Sequence, residues 1–328
     1  MTEPLVSICI PTYNGEAYLK ACLDSCVNQI YENYEIVICD DGSKDASTRI
    51  IEEYAGMHPK IRFYRNEKNL GLVANWNRCI ELSKGEWIKF VFQDDYVTKN
   101  CLQQFAQNVN PSVSLLVSAR NFILPENPSA DYLSYYTNEV RTLVNTNDHK
   151  DPFFSPALIS RIAVQNISMN FIGEPSLTFF RKNLVNELGF FSDALKQICD
   201  LEFFLRIGSK YGLSYIPEKL CAFRIHSHST TSTNLENKYF ELHYIEPLLF
   251  SWFLLYGEHY SGFRAHLNTF QKMKLKLYFR VKCYSAYTTN VKKNYGYYLF
   301  AGHEHPFKEI FSWKKGNILV WLIAALRK

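Results

Sequence analysis

Residues 87–95, WIKFVFQDD, carry the reading that decides the fold. An apolar, β-favouring run stops at two adjacent carboxylates, Asp94 and Asp95. Val91 and the aromatic residues suit a parallel strand covered on both faces, which needs apolar side chains without strict alternation. Two acids are too costly to keep in that core, so the strand ends where they begin. In open α/β sheets, ligands bind in the crevice at the carboxyl ends of the strands. A carboxylate pair at that place suits a divalent metal held against a diphosphate. It equally suits a helix N-cap or a solvated turn, and only the neighbouring segments can choose between these.

Upstream, the same pattern recurs. Residues 5–10 form a short apolar strand broken by Pro11-Thr12-Tyr13-Asn14-Gly15. Leu19, Cys22, Leu23, Cys26, Val27 and Ile30 recur at helical spacing. A second strand over 34–39 ends in Asp40-Asp41-Gly42-Ser43, and a helix follows through Ile50, Ile51 and Tyr54. A strand over 61–65, a polar loop over 66–70 and a helix from Gly71 through Val73, Trp76 and Ile80 lead to the fourth strand, 87–92. A helix through Leu102 and Phe105 precedes a fifth strand, 114–119. This alternation predicts a parallel, doubly wound α/β sheet. Right-handed crossovers bring both acid-ended strands to one edge.

Beyond the fifth strand the pattern loosens. Residues 121–150 read as a polar loop or insertion, 174–181 as strand, 200–211 as helix, and 220–225 as a strand running into His226-Ser227-His228. From about 235 the composition turns aromatic, basic and helix-like, so we divide the chain into a ligand-binding domain, 1–234, and a helical region, 235–328.

The totals fit a globular protein with a substantial core: 328 residues, 47% apolar and 21% charged. Net charge is +4 but uneven, with 13 Lys/Arg against two acids from Arg264 onward. That tail suits an anionic surface, and it carries no recognition motif for nucleic acid. Nine cysteines without a CxxC pair or Cys/His cluster read as reduced, buried thiols of a cytoplasmic protein. The N-terminus lacks the pattern of a signal peptide, and no apolar stretch is long enough to span a bilayer. Residues 318–326 are nine consecutive apolar positions that include Trp321, flanked by Trp313, Lys314-Lys315 and Arg327-Lys328. They suit a helix lying on the cytoplasmic face of the inner membrane, or one packed in the protein's own core or a homo-oligomer interface.

The motifs together resemble a family. VSICIPTYNGEAYL, YEIVICDDGSKD, NLGLVANWNRCI, GEWIKFVFQDD, GEPSLTFFRK, ELGFFSDAL, CDLEFFLRIG and LCAFRIHSHSTTS, in that order, resemble the inverting glycosyltransferases of family 2, with the GT-A fold, of the kind that builds bacterial surface polysaccharide. The resemblance covers roughly residues 5–232. It implies a UDP- or dTDP-sugar donor and a glycan or lipid-linked acceptor. Tyr13 would stack on a pyrimidine, with Pro11 and Thr12 shaping the pocket and Asp41 accepting the base's ring N–H; a turn aromatic and an Asx-turn are the plainer readings. Asn75 and Asn77 either reach the nucleotide or decorate a helix surface. Asp95 would hold Mn2+ or Mg2+, with Asp94 on the ribose or assisting the metal, although Phe92 replaces the first acid of the usual Asp-x-Asp. Asp200 would be the catalytic base, or else a helix N-cap, and Cys199 replaces the Glu that commonly precedes it. Glu174 and Glu202 would border the acceptor. His226 would ligate the metal or meet the diphosphate, with His228 as a second imidazole. Two other readings stay open. A sugar-nucleotide pyrophosphorylase should show a Gly-rich basic loop after the first strand, which PTYNGEAY is not. A fold-mate that binds without turnover remains.

Overall fold

Two seven-residue strands buried at every position, β1 (Val6–Thr12) and β2 (Tyr34–Asp40), lie side by side within one sheet. A computed structural model describes residues 3–110, 112–126, 143, 151–167, 169–226, 239 and 241–293. Around β1 and β2 lie β3 (Ile61–Arg65) and β4 (Trp87–Phe90), all parallel, with Ile8 registered against both Ile36 and Lys89. The crossovers are α1 (Leu19–Val27), α2 (Ser47–Met57) and α3 (Leu72–Leu82). Each buries one apolar stripe and exposes the other side, as amphipathic helices on a sheet must. The described sheet runs β3-β2-β1-β4 and on through β8 (Thr178–Arg181), β6 (Leu115–Ile123), β9 (Leu213–Arg224) and β5 (Tyr96–Val97), with β7 (Phe153–Phe154) paired to β9.

The far half of the sheet departs from the parallel pattern expected. β5 (Tyr96–Val97) and α4 (Cys101–Gln107) lead to β6 (Leu115–Ile123), but β6 does not pair with β4. β7 (Phe153–Phe154), α5 (Pro156–Gln165) and β8 (Thr178–Arg181) follow, and β8 lies antiparallel between β4 and β6. Its TFF run is buried, so it reads as a central strand, but a short apolar run carries no mark of direction. β4 also stops two residues early: Val91 N–H still reaches Cys9 O at 3.0 Å, whereas Phe92 N–H turns to the Ser176 hydroxyl.

After α6 (Leu184–Leu188), α7 (Cys199–Tyr211) and β9 (Leu213–Arg224), the chain continues as α8 (Glu246–Tyr256), α9 (Ser261–Ala265) and α10 (Thr269–Lys293). Leu248, Phe250, Leu254, Tyr260 and Phe263 join the same hydrophobic core as the sheet. The division at 234/235 is therefore not a boundary of the core. α10 buries Leu275, Phe279, Cys283 and Ala286 and turns Lys272, Lys274, Lys276 and Arg280 outward. No helix among the described residues is long and apolar enough to cross a membrane. The 318–326 segment, His228 and most of the 121–150 insertion lie outside the described residues. All nine cysteines are free and buried.

This topology sets up one catalytic edge. The carboxyl ends of β1, β2, β4, β6 and β9 meet there, together with the amino end of the reversed β8.

Candidate active site

Loops after β1, β2 and β3 enclose an open cleft of about 750 Å³, lined by Tyr13, Gly42–Lys44 and residues 65–69. Tyr13 follows β1 and is 44% exposed. Its backbone is clamped on both sides by the Gln93 amide: N–H to Oε1 at 2.8 Å, and O from Nε2 at 3.1 Å. A phenol ring held there can stack on a flat base. Asp41 lies behind it, 2% exposed, accepting from Asn66 Nδ2 at 2.7 Å, Leu70 N–H at 2.8 Å and Gly71 N–H at 2.9 Å. Of a carboxylate's roughly four acceptor positions, that leaves about one for a ligand's N–H. Gly71 takes φ +89, which a side chain would resist, so this loop shape needs the glycine. Thr12 is buried and its hydroxyl has no partner among the described residues; Pro11 is buried within β1.

Both asparagines expected at the nucleotide turn inward. Asn75 accepts from Asn66 Nδ2 at 3.0 Å and donates to Cys39 O at 2.9 Å. It supports Asp41 from behind. Asn77 makes a two-way pair with the Phe191 backbone, at 2.9 and 3.1 Å, and ties α3 to the turn before α7. Neither side chain is available to a ligand, and both expectations are corrected on that ground.

The acid pair after β4 divides by direction. Asp95 is 2% exposed; Oδ2 accepts from the Ser176 hydroxyl at 2.6 Å and Oδ1 from Arg224 N–H at 3.0 Å. Burial, and then the charge of Asp94, push its carboxyl well above the usual range. Asp94 is partly exposed instead, with Oδ2 2.9 Å from His226 Nε2. The His226 ring packs on Tyr18 at 4.9 Å, and Arg224 covers the same Tyr18 ring at 4.7 Å. Asp95, expected as metal ligand, spends one acceptor position of each oxygen inside the protein, and Asp94 is the carboxylate beside the imidazole. One carboxylate oxygen and one imidazole nitrogen suit Mg2+ or Mn2+ that takes its remaining ligands from phosphate and water. No group of three or more His, Cys, Asp or Glu side chains that would form a closed protein cage occurs among the described residues.

Asp200 sits in the first turn of α7. Oδ2 accepts from Asn170 Nδ2 at 2.8 Å and Oδ1 from Leu201 N–H at 2.7 Å. Burial pushes its carboxyl up to about 7, with the charges of Glu174 and Glu246 acting the same way and the Leu201 N–H opposing. A carboxylate poised near neutrality is what a general base needs. Glu174, just ahead of β8, lies 3.1 Å from the buried Arg120 guanidinium on β6, which stacks over Phe122. Glu202, expected near the acceptor, is instead enclosed. Arg206 Nε and Nη2 donate to it at 3.0 and 2.7 Å, and Tyr260 Oη at 2.9 Å. Arg206 also donates to the carbonyls of Leu188, Gly189 and Phe190, so Glu202 belongs to a brace between α7 and the preceding turn.

This arrangement accords with the comparisons. Residues 7–167 match the family model described as glycosyl transferase family 2. An uncharacterized protein of Mycobacterium tuberculosis is 30% identical over 234 residues, 71% of this chain and 70% of that protein. The chain belongs to glycosyltransferase family 2. The chondroitin synthase of Escherichia coli is 37% identical over 111 residues, 33% of this transferase but only 16% of that synthase. Among solved structures, S. aureus TarS 1–349 in complex with UDP-GlcNAc superposes with a TM-score of 0.60 at 20% identity, covering 85% of this chain and 72% of that one. The transferase thus has the GT-A fold, and the chemistry of its family is glycosyl transfer.

Several of the transferase's working residues escaped the sequence reading. Lys89 lies in the middle of the quoted strand, wholly buried; Nζ donates to Phe90 O at 3.1 Å and to Ser176 O, and sits over the Phe105 ring. A buried ammonium needs such partners. Through Ser176 it holds the turn that binds Asp95. The lone Lys in WIKFVF was the available signal. Arg120 and Asn170 stand in segments without a motif, and Glu246 lies outside the matched region altogether.

Proposed function

We propose that this transferase is an inverting, divalent-metal-dependent enzyme that moves a sugar from a UDP- or dTDP-sugar to a hydroxyl of a glycan or lipid-linked acceptor in surface-polysaccharide assembly. The observation that carries the reading is the convergence of three features on one sheet edge. These are the cleft lined by Tyr13 and Asn66, with Asp41 bonded to Asn66, the Asp94–His226 pair and the enclosed Asp200 carboxylate. Tyr13 stacks on the base, and Asp41 offers its remaining acceptor position to the ring N–H of a pyrimidine. A purine would need a different edge pattern. Asp94 and His226 would hold Mn2+ or Mg2+, which neutralises charge on a departing diphosphate.

Asp200 takes the proton of the acceptor hydroxyl as that oxygen attacks the anomeric carbon from the face opposite the diphosphate. One displacement inverts the centre. A retaining route through a covalent intermediate would need a second carboxylate close to the sugar, and Asp95 and Glu202 are committed to internal partners. Glu174 and Arg120 border the acceptor side. Asn170 fixes the rotamer of Asp200, so one oxygen lone pair faces its substrate.

The outward cations of α10 and the Arg264–Lys328 charge excess support peripheral association with the cytoplasmic face of the inner membrane, where a lipid-linked acceptor would reside. A sugar-nucleotide panel tests the central reading. UDP- and dTDP-sugars should release nucleoside diphosphate in a Mn2+- or Mg2+-stimulated reaction. Release from none of them would leave a binding protein, and formation of nucleotide triphosphate from pyrophosphate would mark a pyrophosphorylase.

A further inference from the structure

Glu246 opens α8 and is 3% exposed. Its Oε1 accepts from Lys196 N–H at 2.7 Å, and its Oε2 from Gln197 N–H at 2.8 Å and Ile198 N–H at 3.2 Å. Three consecutive backbone donors converging on one anion form a concavity selective for negative charge. They lie immediately before α7, the 13-residue helix whose second residue is Asp200.

α7 needs this help. Its own N-cap is Ile198, and no side chain caps the helix there. The orphan donors at a helix start must find acceptors somewhere, and an anion at that end also suits the helix dipole. Glu246 places an anion there from a helix nearly 50 residues further along the chain; it accepts from one of those donors, Ile198 N–H, and from the two N–H groups just before it, while Leu201 N–H is taken by Asp200 itself.

We infer that Glu246 is the positioning residue for the catalytic base: it fixes the start of α7, and so the place of Asp200. The inference rests on the reading of Asp200 as base. The groups facing Asp200 are Asn170 and the Leu201 N–H, which donate to it, the thiol of Cys199 beside it, and two acids, Glu174 from ahead of β8 and Glu246 from α8. Both acids disfavour its ionisation. Glu246 is faced by the three N–H groups and by the ammonium of Lys196.

The test uses the full chain and measures kcat and donor KM against pH, from about pH 5 to about 9, which spans the useful range of such a base. Glu246→Gln keeps an amide oxygen for the backbone donors but removes the charge. The acid limb of its rate profile should move to lower pH, and its melting temperature should fall, because the amide NH2 that replaces one oxygen faces a backbone N–H. Glu246→Ala should lower kcat by about tenfold or more, with donor KM nearly unchanged, because a displaced base costs rate rather than donor binding. Glu246→Asp keeps the charge and should keep the limb where it is. Asp200→Asn is run in parallel. If it abolishes the limb while Glu246→Gln leaves the limb unmoved, the inference fails alone. If the limb survives in Asp200→Asn, the base assignment fails and takes the inference with it.

Discussion

The Nε2 of His226 lies 2.9 Å from Oδ2 of Asp94, across 132 positions of chain. Two further bonds hold the same junction: Arg224 N–H to Asp95 at 3.0 Å, and Arg224 Nε to the Asp94 carbonyl at 3.0 Å. The end of β9 and the loop after β4 therefore form one unit, with Asp95 as its internal tie and Asp94 as its outward face.

Opposite phenotypes follow for the two neighbours. Asp94→Ala and His226→Ala should each cut metal-stimulated turnover by about a hundredfold or more, the scale of losing one electrostatic partner of a departing charge. Their melting temperatures should stay close to wild type. Asp95→Ala should instead lower stability, since it strands Ser176 and Arg224 N–H. Thermal melts beside Mn2+ titrations of turnover decide this. A fully stable Asp95→Ala protein that has lost metal stimulation would return the ligand role to Asp95.

The raised carboxyl of Asp200 gives a pH prediction of definite sign. Its ordinary value is 3.8 and its folded value is about 7. As a base it must be ionised, so kcat/KM should rise with pH through about 7 and then level. Stability runs the other way. The folded protein holds this proton more tightly than the unfolded chain, a contribution present below pH 3.8 and lost as pH rises through about 7. Asp200→Asn should therefore raise the melting temperature more at pH 8 than at pH 5, while cutting transfer by about 10²–10⁴-fold. Equal melting shifts at the two pH values would count against a raised carboxyl.

Base selection is measured directly. UDP and dTDP should raise the melting temperature in a thermal-shift screen, and GDP and ADP should raise it much less. GDP binding as tightly as UDP would remove the Tyr13–Asp41 pocket from the reading.

Removing Glu202 should harm folding rather than acceptor recognition. Glu202→Ala leaves the buried Arg206 without its carboxylate, at a cost of about 3–5 kcal/mol. Denaturant unfolding should show that loss, and the folded fraction should keep its acceptor KM. An unchanged unfolding midpoint with a raised acceptor KM would reinstate Glu202 at the acceptor.

Membrane association separates by segment. The full chain should co-sediment with anionic liposomes in a salt-sensitive way, and a chain ending near Ser312 should bind more weakly. Equal, salt-insensitive behaviour of the two would point to self-association through the tail.

Much of this was legible in the sequence, and its limits are physical. β1, β2 and the acid-ended strands show because buried parallel strands must be apolar and must stop at charge. The direction of β8 did not show, because a buried TFF run packs equally well either way. Asp94 and Asp95 are adjacent, and the sequence cannot say which turns inward; Ser176 and Arg224, far along the chain, decide it. Asn75 and Asn77 look like surface polarity on α3, but their partners are the Cys39 carbonyl and the Phe191 backbone. Glu246 had no local signal, because its three donors lie nearly 50 residues earlier.

The donors around Asp41 bear on how the base pocket gains affinity. Asn66, Leu70 and Gly71 are already locked to that carboxylate by folding. The conformational entropy of the 66–71 loop is lost then, not when a nucleotide arrives, so binding does not bear it again. The pocket is a rigid receptor whose tightness can change without touching the ligand. Loosening Asn66 would weaken nucleotide binding through the loop's regained freedom, with every direct contact to the base intact.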